Sequence, residues 1–469
     1  MSKATLAVIY GNRDFFPDIL VTEARKDMEQ VFTELDIEAV VLDEKTSKLG
    51  AVETWEDAKK CAALFKENMD RIDGILVVLP NFGDEKGVAD SIKLSRLRVP
   101  ILIQAYPDDN EKLNIERRRD SFCGKISVCS NLRQYGFPYT LTDVHNIYPT
   151  DDRFKIELMD FLGICRVVRG LRNARFGAIG ARPNAFNTVR YSEKLLQEAG
   201  MSVSTIDLSE IFANAQKIET NDQRVKTKVD EIIGYAKSTA VPSDAIILMA
   251  KLGLVISDWI EELDLNATAL QCWNSLQENY GVNACTLMSM MSEQLLPNAC
   301  EVDITGVAAM YALQLASGKP SALVDWNNNY GDDPDKCVFF HCGNWAKSFL
   351  PDIEIKYADI LSTTLGQDRT WGAVAGRTPA GPVTFARIST DDTLGMIRVY
   401  VGEGEFTDDP LETFGARAVV KVPALQDLLK YICLNGFEHH VAMNASQTAH
   451  ILNEAFGTYL DWDVYFHQE

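Results

Sequence analysis

Four short stretches in the last third of the chain set metal-ligand side chains beside apolar runs: Cys300-Glu301-Val302-Asp303, Val324-Asp325-Trp326-Asn327, Phe340-His341-Cys342 and Glu438-His439-His440. Carboxylates with one or two imidazoles and no thiolate pair suit a divalent cation on an open catalytic site. Mn2+ is the first choice, with Mg2+, Co2+ or Fe2+ as alternatives and structural zinc a poorer fit. Taken singly, each residue has a plain explanation. Glu301 fits the first turn of a helix expected from Ile304, where the helix dipole favours an acid; Asp325 fits an Asx turn after a strand over 321–324; His341 fits a buried histidine ending a strand over 337–340. Taken together they point elsewhere, because functional groups of α/β sheets collect at carboxyl ends of strands and adjacent strands would bring Asp325 and His341 together. Five of the six histidines also lie beyond residue 340. Cys300 and Cys342 read as packing residues.

The elements that must position these residues fall into three stretches. Over the first, strands at 5–10, 38–42, 74–79 and 99–104 alternate with helices at 22–35 and 55–69, which predicts a parallel sheet covered on both faces. The turn after the first strand, Gly11-Asn12-Arg13, has no G-x-G-x-x-G, so dinucleotide binding is not supported. A second α/β stretch starts near residue 171, with strands at 175–180 and 203–207 and helices at 188–199, 223–237, 244–263 and 304–316. From about residue 350 short strands at 370–377, 381–387, 395–402 and 418–422 are separated by Gly and Pro, the pattern of an antiparallel sheet or small barrel. A helical tail is expected over 445–456.

At 469 residues the chain exceeds one hydrophobic core and should form two to four domains. With 46 basic against 67 acidic side chains the formal charge is −21. Such a surface repels phosphate backbones, so neither nucleic acid nor an anionic membrane is an expected partner. The N-terminus lacks the basic start, apolar core and cleavage site of a signal peptide, and no apolar run approaches ~20 residues. A cytoplasmic protein is expected. Its ten scattered cysteines show no C-x-x-C pair and read as reduced thiols.

Gln271-Cys272-Trp273, Pro297-Asn298-Ala299-Cys300-Glu301, Val324-Asp325-Trp326-Asn327-Asn328-Asn329-Tyr330, Phe340-His341-Cys342-Gly343 and the stretch from Gly376 to Thr384 resemble the L-fucose isomerase and L-arabinose isomerase superfamily, in particular its fucose isomerase-like members. The resemblance implies an α/β protein of two Rossmann-like domains, residues 1–170 and 171–348, the second carrying Glu301, Asp325 and His341. A C-terminal β-rich, barrel-like domain, 349–469, would carry His440. It further implies a homo-oligomer, a hexamer in many members, with the active site near a subunit interface, and Mn2+-dependent aldose–ketose interconversion of a monosaccharide through an enediol(ate).

Carried over by position, Glu301 and Asp325 match the two carboxylates that hold the metal and act as acid and base, and His440 matches the C-terminal ligand histidine. His341 matches a further ligand of the arabinose isomerase branch; in the fucose isomerase branch that place belongs to no ligand. Moving a proton between C1 and C2 needs a positioned base and stabilisation of developing negative charge, which such a set supplies. Arg13, and Asn131 and Arg133 in the stretch 121–133, resemble regions that reach the sugar, in part from a neighbouring subunit, while Trp326 and Asn329 are expected to shape the pocket. A 6-modified hexose, a 6-sulfonate included, is a candidate substrate if Arg13, Lys125 or Arg133 faces the pocket. The competing readings are a non-catalytic sugar-binding or regulatory protein and a metal-dependent sugar epimerase or aldolase.

Overall fold

The structure, a computed structural model, describes residues 3–109, 111 and 113–468. It divides into two compact units, one running up to Arg169 with Gly457–Asp461, the other comprising Gly170–Phe456 and Trp462 onward. No helix of the described residues is long and apolar enough to cross a membrane.

The first unit is built on a parallel sheet in the order β2-β1-β3-β4-β5, with β1 Thr5–Tyr10, β2 Glu38–Val41, β3 Gly74–Leu79, β4 Ile101–Ala105 and β5 Thr140–Leu141. Its strands are continuous apolar runs because both faces are covered. Ala7, Ile9, Ile75, Val77, Ile101 and Ile103 enter one core; the alternate residues Leu6, Val8, Tyr10, Leu76, Val78 and Leu102 enter another. Helices the sequence patterns did not disclose, Glu85–Ser95, Ser121–Tyr135 and Asp152–Arg172, complete the layers.

The second unit holds two sheets. One is parallel, in the order β7-β6-β8-β9, with β6 Arg175–Ile179, β7 Ser202–Ile206, β8 Ala267–Leu270 and β9 Asn298–Cys300. The other is a nine-stranded mixed sheet of β10 Ala322–Asn329, β11 Lys336–His341, β12 Glu354–Tyr357, β13 Trp371–Arg377, β14 Gly381–Asp391, β15 Met396–Thr407, β16 Ala416–Lys421, β17 His440–Asn444 and β18 Asp463–Phe466. Within it, the order β16-β11-β10-β17-β14-β15 closes on itself through antiparallel pairing of β15 with β16. Closure leaves these strands without free edges. Two of them, β10 and β11, precede residue 349. One continuous apolar core, including Ile179, Leu270, Val324, Phe339, Phe385 and Val420, joins the parallel sheet to the ring.

The expected helix over 188–199 shrinks to Glu193–Glu198, preceded by a single 3-10 turn. The tail is a short helix, Ala449–Asn453, continued as a wider π turn.

Candidate active site

Two strand ends and one strand pair build the site. Leu270 and Cys300 are register partners on the parallel neighbours β8 and β9, so Trp273 and Glu301, which follow those strands, emerge at the same carboxyl edge. Glu301 and Val302 both adopt left-handed backbone, φ 55° and 60°. Two successive non-glycine residues in that region, one of them β-branched, cost free energy that the surrounding fold must offset, as is common where a side chain is aimed for function. Asp325 does not end its strand, as expected from the sequence, but lies within β10. It pairs with Phe340 on β11 and stands directly opposite His440 on β17. His341 is the last residue of β11, and antiparallel rather than parallel pairing brings it toward Asp325.

Glu301 is almost fully buried, and its two oxygens differ. Oε1 accepts from Trp273 Nε1 at 3.0 Å and from the Cys272 thiol at 3.4 Å. Oε2 has no hydrogen-bond partner among the described residues. It lies 3.6 Å from His440 Nε2 and 3.6 Å from His341 Nε2. His440 Nε2 is in turn 3.5 Å from Asp325 Oδ1. Burial pushes the Glu301 carboxyl up, but the charges of His341 and His440 outweigh it and hold it below its ordinary value. An orphaned buried carboxylate oxygen facing an imidazole nitrogen fits a divalent cation, and the ligand atoms fall into two groups that share His440, Glu301 with His341 and His440, and Asp325 with His439 and His440, the atoms of each group within 4.8 Å of one another.

The two imidazoles are set differently. His440 Nδ1 donates to Asp303 Oδ2 at 2.9 Å, which leaves the Nε2 lone pair free for a cation. His341 Nδ1 accepts from the backbone N–H of Cys342 at 3.0 Å, which places its proton on Nε2, pointing at Glu301.

Asp303 caps the helix Ile304–Ser317 through Gly306 N and is held bidentately by Arg387, at 2.5 and 3.1 Å. Arg387, fully buried, also reaches Glu438 at 3.0 Å and Thr305 at 2.9 Å. Burial opposes the charge on Asp303, yet Arg387 and His440 hold its carboxyl well below the usual carboxylate range. His439 Nε2 lies 3.5 Å from Asp325 Oδ1, and its pKa is lowered by burial and by the charge of His440. Asp303 and His439 lie in the ligand-type stretches of the sequence but were assigned no role, and Arg387 was not among the expected site residues. Arg387 had one available signal, a lone cation inside the apolar strand Val383–Ile388.

A cavity of about 450 Å3 opens on this cluster, its floor formed by Glu301, Asp325 and the three histidines and its walls by aromatic and aliphatic groups, Phe186, Trp273, Phe340, Phe414, Ile360 and Leu361 among them. Lys356 is the cation of its lining. Trp326 is not brought there. Successive strand residues face opposite ways, so it points into the closed ring, packed on Phe339 and Phe385 with its Nε1 bonded to Tyr400 at 2.9 Å. Asn329, the last residue of β10, is exposed and bonds Gly331 O.

The remaining expected contacts belong to the first unit. Arg13 is paired with Glu85, donates to Gly83 O at 2.9 Å and lies over the Phe82 ring. Asn131 and Arg133 share the helix Ser121–Tyr135, where Asn131 bonds back to Ser127 O and Arg133 is exposed. Lys125 of the same helix turns inward to Thr142 and the His145 carbonyl.

An α/β chain with a carboxylate–imidazole cluster under a sugar-sized cavity fits the class of sugar isomerases, and comparison with known proteins fixes the family. Residues 7–172 match the fucose/sulfoquinovose isomerase N-terminal domain, and residues 339–467 match the L-fucose isomerase C-terminal domain. The chain belongs to the fucose isomerase-like family of sugar isomerases. It is 23% identical over 380 residues to the sulfoquinovose isomerase of Priestia megaterium, covering 80% of this chain and 81% of the relative. A sulfoquinovose isomerase of Alkalicoccus urumqiensis is 24% identical, with 79% and 81% covered, and one of a Clostridium species 23% identical, with 66% and 67% covered.

Proposed function

We propose that this chain is a divalent-metal-dependent aldose–ketose isomerase that moves a proton between C1 and C2 of a monosaccharide. The observation that carries the reading is that Glu301 Oε2 and Asp325 Oδ1 lie 3.6 and 3.5 Å from the same His440 Nε2, with Oε2 buried and without a hydrogen-bond partner among the described residues. Glu301, Asp325 and His440 are the residues proposed to hold the ion, Mn2+ first among the candidates. His341, whose Nε2 lies 3.6 Å from Glu301 Oε2, enters as a neighbour of that carboxylate rather than a ligand, the alternative that the fucose isomerase branch left open. A bound cation would supply stabilisation of the negative charge that develops on the sugar oxygens.

The protein's own groups do the rest. Glu301, kept ionised, and Asp325 both approach His440 Nε2, and one of them can take the proton from one carbon and return it to the next. Trp273 and Phe186 wall off water, and Trp273 also holds Glu301 in place through its indole N–H. The proposed substrate is a 6-modified hexose, a 6-sulfonate in view of the relatives' named activity, with Arg13, Asn131 and Arg133 contributing from a neighbouring subunit of a homo-oligomer. Functionally, residues 1–170, 171–348 and 349–469 are its three working parts, the barrel-like part borrowing β10 and β11 from the middle one.

The test is a panel of aldoses, 6-sulfonated and 6-deoxy hexoses included, followed by NMR in D2O with metal-stripped and Mn2+-reloaded protein. Metal-dependent exchange and aldose–ketose conversion are expected, with turnover lost in Glu301→Gln and Asp325→Asn. Turnover that survives both substitutions would overturn the assignment; deuterium incorporation with inversion but no ketose would make it an epimerase.

A further inference from the structure

The cavity wall brings together two thiols from distant parts of the chain. Cys342 follows β11 and lines the cavity. Cys285 opens the helix Cys285–Glu293, is 2% exposed and takes no part in the lining. Their sulfurs lie 3.9 Å apart, and both are free thiols. Neither has a role in the proton transfer proposed above.

A single buried cysteine is adequately explained as a small hydrophobe. A pair is different when one sulfur faces an open cavity and a second, shielded one touches it. That arrangement lets a thiol oxidised from the cavity be captured by its neighbour before it is oxidised further. A disulfide sets its sulfurs about 2.05 Å apart, so this pair must close by roughly 1.9 Å. Cys342 has room to adjust, since it stands in a bend just past the end of β11. Cys300, whose sulfur is within 4.8 Å of that of Cys342, is instead held inside the strand β9 and fully buried.

We propose that Cys342 and Cys285 form a peroxide-reactive pair, in which Cys342 meets the oxidant and Cys285 resolves it as a reversible disulfide. The Cys342 sulfur attacks one oxygen of hydrogen peroxide, the O–O bond breaks, and the other oxygen leaves as water with the thiol proton. The Cys285 sulfur then attacks the sulfenic sulfur of Cys342, the S–O bond breaks, and a second water leaves with the Cys285 proton. Two thiols are thereby oxidised by two electrons in all, and one peroxide is reduced to two waters. Without Cys285 the sulfenic acid would proceed to a sulfinate, which is irreversible and would fix a negative charge one residue from His341. The bond therefore keeps this wall of the site recoverable.

The experiment treats reduced, Mn2+-loaded protein with increasing hydrogen peroxide, blocks the remaining thiols by alkylation in denaturant, and maps the peptides by mass. A Cys285–Cys342 cross-linked peptide, two hydrogens lighter than its reduced parts, is expected to appear with loss of alkylation at both residues, and dithiothreitol is expected to restore both thiols. In Cys285→Ala and Cys285→Ser the same treatment is expected to convert Cys342 to a sulfinate that dithiothreitol does not reverse. Full alkylation of Cys342 after peroxide in the unmodified protein, a Cys300–Cys342 bond in place of the expected one, or reversible oxidation of Cys342 in both Cys285 variants would overturn the proposal. The first two outcomes are read on the unmodified protein and stand even where a variant fails to fold. No readout uses turnover, so failure here leaves the isomerase reading standing, and failure of that reading leaves this one testable.

Discussion

Asp303 sets the state of the proposed ligand His440. Its Oδ2 accepts the hydrogen bond from Nδ1–H, so that Nε2 meets a cation as a lone pair. Partners of this kind, which fix the tautomer and orientation of a ligand histidine, typically hold 10- to 100-fold in metal affinity or activity. Asp303→Asn, which keeps the shape and can turn its amide N–H toward Nδ1, is therefore expected to weaken Mn2+ binding by about 10- to 100-fold. Calorimetric titration of the stripped protein measures it, and unchanged affinity would remove Asp303 from this role. Arg387 carries a different burden, since its fully buried guanidinium compensates both Asp303 and Glu438. Arg387→Met leaves two buried carboxylates without their cation and is expected to destabilise the unit by about 3–5 kcal/mol, read as a lowered urea midpoint. Arg387 was not visible as functional in the sequence, and Asp303, though inside a ligand-type stretch, was given no role there. An aspartate before a helix looks like a cap, which Asp303 also is, and only the fold shows that its second oxygen serves the site. Glu301, Asp325 and His440 were legible because several unusual ligand types recurred at the ends of apolar runs.

Elements were legible where one physical signal dominated. The strands around Thr5–Tyr10 and Gly74–Leu79 are unbroken apolar runs, and Ile304–Ser317 has an aspartate cap and a glycine stop. The end of β10 was not legible: Trp326 to Asn329 has little strand preference, and it is the antiparallel pairing with β11, with its bulge between Trp326 and Asn329, that extends the strand past Asp325. The helix Ser121–Tyr135 was equally hidden, because it buries Gly124 and Lys125 beside Val128 and Leu132 and so shows no clean apolar stripe. Lys125 gives this helix a measurable pH dependence. Burial disfavours its ammonium and lowers its pKa to about 8, against about 10.4 for an unfolded lysine. Below the lower value both states hold the proton and the cost of burying the charge is fully present; between the two values the unfolded chain binds more protons, so this contribution to stability rises with pH. Urea midpoints from pH 8 to 10 are expected to rise for the natural chain relative to Lys125→Met, and parallel curves would mean the ammonium is solvated.

At the scale of the whole molecule, a formal charge of −21 makes recruitment of an anionic sugar sulfonate depend on local cations rather than on the overall field. The cavity lining contributes Lys356, and the other cations proposed for the substrate, Arg13 and Arg133, belong to the first compact unit. If those arginines act from a neighbouring subunit, a site needs one chain's Glu301 and another chain's Arg13. Glu301→Gln and Arg13→Ala chains, each inactive alone, would then assemble some sites with both groups intact when co-expressed. For random mixing of equal amounts in a closed ring of heterologous contacts, roughly a quarter of all sites recover. Sites completed within a single chain recover none, because every chain lacks one of the two groups. Turnover of the co-expressed mixture, purified through two different tags so that only mixed oligomers are assayed, therefore separates the arrangements. Recovered activity with an oligomeric mass by light scattering is the expected outcome, and an inactive mixed oligomer would assign Arg13 to its own chain's site or remove it from the site altogether.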